Sequence, residues 1–225
     1  MNNYKLSPVK FKVDLNEFKP RITKNMNSTP WDFGNSILYD LCKNYPTHDK
    51  LEIVIAKIWL IGRSYAAAIE RRKEKSSGND DFYINRVAPA IIKSKLDEFL
   101  ADLKNKDING SNIYNILKIH KYLSGLFKQL TGLNKISLSS KYLHFHKPEL
   151  FFIYDSRAVK ALRVFISRIP SSFSSIIKSN EVDAEYAKFF IKSFLTIKRI
   201  ETDLDLKLTS RTFDNLLIDI ANNGT

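Results

Sequence analysis

Apolar residues recur at three- and four-residue intervals along most of the chain, and no stretch alternates steadily between apolar and polar positions. That period belongs to helices with one buried stripe rather than to half-buried strands. A Ser-Thr-Pro entry predicts a helix over 31–44, with Phe33, Ile37, Leu38 and Leu41 on one face. A longer pattern over 49–75, capped at Thr47, turns Ile53, Ile55, Ile58, Trp59 and Ile69 inward. Helical spacing resumes over 81–103, where Pro89 predicts a kink or a break into two helices. It returns over 111–130, with Ile113, Ile116, Leu117, Leu126, Phe127 and either Tyr122 or Leu123 inward. Two helices close the chain. One runs over 181–201 on a core face of Tyr186, Phe189, Phe190, Phe194 and Ile197; the other runs from a Thr209 cap to 221.

Weak periodicity over 1–29, with prolines at 8 and 20, reads as an irregular arm in which 10–13 has the pattern of a short strand. Residues 76–80 read as a loop, 104–110 as a turn, 131–134 as a tight connection and 170–180 as a Ser-rich loop or short helix. The expected class is all-α, with roughly eight helices in two packed lobes with a cleft between them. The arm takes residues 1–30 and a single domain takes 31–225.

Composition changes this picture in one respect. Lys and Arg number 36 against 24 Asp and Glu, a formal charge of +12 and a pI near 9.6. Such a surplus attracts phosphate backbones and speeds encounter with them, so DNA or a nucleotide is the expected partner, with a protein partner as the other option. Cys42 is the single cysteine, which excludes a disulfide framework and a cysteine metal cluster. No apolar run approaches the ~20 residues of a bilayer span, and 1–10 has no signal-peptide core. The expectation is therefore a cytoplasmic protein with no membrane partner. His144 and His146 stand two apart, off a common helical face, and no phosphate-loop, dinucleotide or zinc-protease motif is present, so no metal or cofactor is expected.

Candidate chemistry gathers in two places. Gly62 inside a helical pattern costs about 1 kcal/mol against alanine. Either a second helix packs closely over Gly62 and Ala66 to Ala68, or a ligand approaches there, with Arg63 and Tyr65 reaching toward phosphate and base. The second place is 135–165. Its Ser-rich cationic opening, Lys135-Ile136-Ser137-Leu138-Ser139-Ser140-Lys141, leads to Tyr142-Leu143-His144-Phe145, and the run Leu150 to Tyr154 then delivers Asp155. Asp155-Ser156-Arg157-Ala158 reads as an N-cap entering an amphipathic helix, which suits both a capping residue and a carboxylate kept ionised beside developing positive charge. His144 reads as a packed helical residue with a hydrogen-bonded ring tip.

The run Gly132 to Leu143, followed by Phe152-Ile153-Tyr154-Asp155, resembles the helix–hairpin–helix DNA glycosylases, especially the 8-oxoguanine type. Arg211 to Leu217 resembles the closing helix of the same group. The resemblance implies a two-lobed all-α body that acts on, or recognises, a modified purine flipped out of DNA. It implies that Asp155 stabilises the oxocarbenium ion and that a lysine attacks C1′ in bifunctional members. Ser137 falls where that lysine belongs, which leaves Lys141 and Lys135 as candidates, with activated water as the monofunctional alternative. Arg63, Tyr65, Tyr154, Ser137, His144 and Arg157 are the expected substrate contacts. The alternative is a glycosylase scaffold without catalysis that binds nucleic acid, nucleotide or protein, and either form suits bacterial anti-phage defence.

Overall fold

The computed structural model describes residues 11–74, 78–103 and 107–224. The expectations for 1–10, 75–77 and 104–106 (the first part of the arm, the end of the 49–75 helix, parts of two turns) lie outside them; of the strand expected over 10–13, residues 11–13 are described and form no strand, only the bridge of Phe11 to Ile166. Among the described residues every named element is helical, and one isolated antiparallel bridge joins Phe11 to Ile166. The class is all-α, with more helical segments than the roughly eight expected.

The chain runs through α1 (Leu15–Met26), α2 (Trp31–Asn44), α3 (Leu51–Ser64), α4 (Asn79–Phe82), α5 (Ala88–Ile92), α6 (Leu96–Asp102), α7 (Ile113–Thr131) and α8 (Ile136–His146). It continues through α9 (Ser156–Leu162), α10 (Ser174–Lys178), α11 (Ala184–Leu204) and α12 (Ser210–Asn223). α8 lies centrally, packed against α2, α3 and α7, while α9 packs on α12. Tyr142, Phe145, Phe151, Tyr186 and Phe190 are among the fully buried side chains between them. Each such side chain contributes about 1.5–3 kcal/mol on leaving water.

Three expectations are corrected. The arm is not irregular over its described part: Asp14 caps α1 through Asn16 N at 2.9 Å, and Leu15 and Ile22 are buried as α1 packs on α11 and α12. Pro20 sits inside that helix rather than ending it. The 49–75 helix stops at Ser64. Ala67 N donates to Gly62 O at 2.8 Å and Ala66 N to Arg63 O at 3.3 Å, with Ala66 left-handed at φ 51°. That is a Schellman termination formed without glycine at its left-handed residue. A Cβ on Gly62 would meet Ala68 Cα at 3.3 Å, so the glycine accommodates its own returning chain rather than a second helix.

The third correction concerns two helix faces. Trp59 on α3 is 44% exposed, and Phe33 and Ile37 on α2 are 76% and 52% exposed. Val54, Ile58 and Ile61 carry the inner stripe of α3, and Leu38 and Cys42 that of α2. Near Pro89 the helix does not break at once. A π-helical turn over Tyr83–Val87 precedes α5, and the chain leaves the helix after Ile92. A proline lacks the N–H that the ordinary ladder needs, and the wider register ahead of it absorbs the gap.

Candidate active site around Lys141 and Asp155

The serines of 135–141 explain how two distant positions come to share a cavity. On α8, Ser137 and Lys141 are one turn apart and face the same way. Ser137 Oγ donates to Tyr154 O at 3.0 Å, and Tyr154 N donates to Ser140 Oγ at 2.9 Å. These bonds fasten the extended segment 151–155 onto α8, with side chains small enough to let the two backbones approach. The segment ends at Asp155, whose Oδ1 accepts from Arg157 N at 2.8 Å as the N-cap of α9.

Lys141 is 3% exposed. Its Nζ donates to Tyr65 O at 3.0 Å and to Ser137 Oγ at 2.9 Å, and it lies 5.7 Å from the centroid of the Tyr65 ring. Burial lowers its pKa, and the charges of Asp155 and Asp214 work against that fall. Lys141, Asp155 and Arg157 line one cavity of about 600 Å³, together with Tyr65, Arg211 and Asp214. Arg157 is largely exposed at its mouth, with Nε 3.3 Å from Asp155 Oδ1.

The other candidates lie elsewhere. Lys135 is buried, and its Nζ donates to Ala68 O at 3.1 Å and Arg71 O at 2.6 Å, so it anchors the chain that leaves α3. Arg63 pairs with Glu70 at 2.5 Å and stands 6.0 Å from the Trp59 ring centroid. Tyr65 does reach the cavity, and its hydroxyl donates to Asn35 Oδ1 at 2.7 Å. The Tyr154 hydroxyl turns away to Glu185, although its main chain holds Ser137. His144 is fully buried between Phe151 O at 2.8 Å and the Tyr39 hydroxyl at 2.6 Å. Burial pulls its pKa down to about 4, so the ring is neutral near pH 7. It lines a different cavity, of about 520 Å³, beside Phe152 and Phe194.

Two residues of this site were not singled out as site residues by the sequence reading. Asp214 and Arg211 come from α12, with Arg211 Nη1 donating to Asp214 Oδ2 at 2.9 Å and Arg211 Nε 3.8 Å from Asp32 Oδ1. Asp214 is 7% exposed, and its Oδ1 has no hydrogen-bond partner among the described residues. Burial pushes its pKa up to about 6, against the opposing charges of Arg211 and Lys141. The available signal was a carboxylate one turn before Leu217, on the face of α12 that goes inward. Among the described residues no group of three or more His, Cys, Asp or Glu side chains is placed to hold a metal ion. No described helix is long and apolar enough to cross a membrane.

The arrangement can do defined chemistry. It offers an amine that burial shifts toward its nucleophilic form, an ionisable carboxylate at a helix start, a second carboxyl group with one free oxygen, and two guanidinium groups at a cavity of ligand size. Comparison of the chain with models of known families, with curated proteins and with solved structures found no match.

Proposed function

We propose that this chain is a DNA N-glycosylase of the helix–hairpin–helix kind, acting on a modified or damaged purine. The observation that supports it most directly is that Lys141 and Asp155 line one cavity, the lysine buried and the carboxylate at the start of α9. In this reading the all-α body is the two-lobed body of that family. The turn at Gly132 (φ 70°) between α7 and α8 takes the place of its hairpin.

Cleavage of the C1′–N bond builds positive charge on the sugar, and the Asp155 carboxylate stabilises that charge electrostatically. Lys141 leaves its bonds to Tyr65 and Ser137 and attacks C1′ as the free amine, giving an iminium after the sugar ring opens. Arg157 at the cavity mouth, with the +12 charge of the chain, holds the phosphates and sets register. Tyr65 offers a face to the flipped base.

The test uses oligonucleotides carrying 8-oxoguanine, uracil, 7-deazaguanine derivatives or an abasic site, with free base assayed by mass spectrometry and borohydride added to trap the iminium. The expected result is base release from a purine lesion, with a covalent adduct on Lys141. Release without trapping, lost in Asp155→Asn, moves the assignment to the monofunctional route through water. A second reading has its own support: both key residues already have structural partners, Asp155 as a helix cap and Lys141 at the Tyr65 carbonyl. A non-cleaving binder on this scaffold would show salt-dependent binding with no release from any of these substrates.

A further inference from the structure

We propose that Asp214 is the proton acceptor for Lys141 and returns that proton to the departing base. The role rests on the glycosylase reading, but it is argued from the cavity itself. Asp214 reaches the cavity from α12, near the end of the chain, while Lys141 and Asp155 reach it from α8 and the start of α9. One carboxylate oxygen is held by Arg211 Nη1, which fixes the group and leaves Oδ1 buried without a hydrogen-bond partner among the described residues. An oriented carboxyl group with one free lone-pair set is the form a proton acceptor needs.

Charge balance supports this choice over Asp155. Asp155 Oδ1 already accepts from Arg157 N and Nε, so its charge is engaged by the start of α9 and the Arg157 guanidinium, and protonating it would weaken both contacts. The groups acting on Asp214 are the cations of Arg211, Lys141 and Arg157 and the carboxylate of Asp155. The phenols of Tyr39 and Tyr65 also feel it, and Asp32 lies beyond Arg211. Burial raises the carboxyl group toward neutral pH and lowers the amine, so the gap between donor and acceptor narrows from both sides.

The step balances. Once the Lys141 ammonium leaves Tyr65 O and Ser137 Oγ and turns toward α12, its proton passes to Asp214 Oδ1, and the freed nitrogen pair forms the N–C1′ bond. The C1′–base bond breaks, and the base leaves with its electron pair. The Asp214 carboxylic acid then protonates the base and becomes a carboxylate again.

Two readouts test this in the full chain. Base release from the preferred lesion, followed over pH 5–9, should show an acid limb near pH 6 in the wild type. Asp214→Asn should lose that limb and fall about 100-fold at pH 7, within the range typical of a general acid–base. Asp214→Glu should keep the limb and recover part of the rate. Reductive methylation of Lys141 with formaldehyde, quantified on its peptide, needs no DNA. Its midpoint should move to lower pH in Asp214→Asn, since a neighbouring anion is gone. The wild type also supplies a check that no folding defect can obscure, because the Asp214 carboxyl carbon should titrate near pH 6 by NMR. A value at or below about 4, close to the unperturbed range, overturns the role. An active wild type whose Asp214→Asn form keeps the acid limb, or an unmoved methylation midpoint, overturns the role of Asp214 alone. A wild type that releases no base overturns the glycosylase reading and this role with it.

Discussion

Lys141 Nζ donates to the main-chain carbonyl of Tyr65 at 3.0 Å, so the ammonium of α8 sits at the C-terminal end of α3. A helix end carries unpaired carbonyls and partial negative charge, and a cation there is favourable. Lys135 does the same one turn further along the returning chain, at Ala68 and Arg71. The two lysines are structurally alike in this respect. They differ in what else they face: Lys141 lines the cavity with Asp155, and Lys135 does not.

Lys141→Met and Lys135→Met should therefore separate structure from chemistry. Each leaves buried carbonyls short of a donor, which costs about 1–3 kcal/mol. Urea unfolding should show losses of that size for both variants. Borohydride trapping should vanish only in Lys141→Met, and an adduct that persists there removes Lys141 as nucleophile.

Asp155→Asn retains a good N-cap side chain but not the charge. Its unfolding free energy should stay within about 0.5 kcal/mol of wild type, while Asp155→Ala should lose about 1 kcal/mol. Base release should fall by 100-fold or more in both, the size expected for losing a transition-state electrostatic partner. Equal activity of Asp155→Asn and wild type would reduce Asp155 to a cap.

Ala66 holds a left-handed conformation, φ 51°, at the end of α3. That conformation costs a non-glycine residue about 1–2 kcal/mol. Glycine removes the strain and loses part of the gain to greater freedom in the unfolded chain. Ala66→Gly should raise stability by about 0.5–1 kcal/mol, read from the urea midpoint at unchanged slope. A lower midpoint would mean that the alanine methyl packs better than its strain costs.

Acid should destabilise the fold early. Burial holds His120 and His144 at about 4 in the folded state, below the ordinary value of 6.5. Their contribution is present above pH 6.5 and is lost as pH falls toward 4, because the unfolded chain takes up the protons first. Burial also lowers His48 and His146, in the same direction. Asp214 runs the other way: its folded value of about 6 lies above the ordinary 3.8, so stability is gained as pH falls below 6. Between pH 7 and 5 His120 and His144 together lose about 4 kcal/mol and Asp214 returns about 1, a net loss of about 2–3 kcal/mol. Urea midpoints measured at both pH values check this, and a flat profile would contradict it.

How much of this was legible varies by element. Thr209 and Asp155 announced helix starts because capping is local chemistry, and both caps form as read. The core face of 181–201 was read well at Tyr186, Phe189, Phe190 and Phe194, which are all buried, while Ile197 is half-buried. The end of α3 was misread because Arg63 and Ala66 to Ala68 carry good helix formers through a reversal. That reversal depends on a missing Cβ at Gly62 meeting Ala68, a contact with no periodic signature. Trp59 was assigned inward by spacing alone, yet the inner stripe follows Val54, Ile58 and Ile61.

By itself the order of residues determined the helical class, the caps at Asp155 and Thr209 and most of the inner stripe of α11, because these depend on interactions within one or two turns. It also brought Lys141 and Asp155 into view as chemically suggestive. Only the tertiary structure decided that Lys141 rather than Lys135 shares a cavity with Asp155, and that Asp214 of α12 joins them. The reason is physical: long-range packing of α12 on α9 and of α8 on α3 sets burial, and burial sets which charges feel one another.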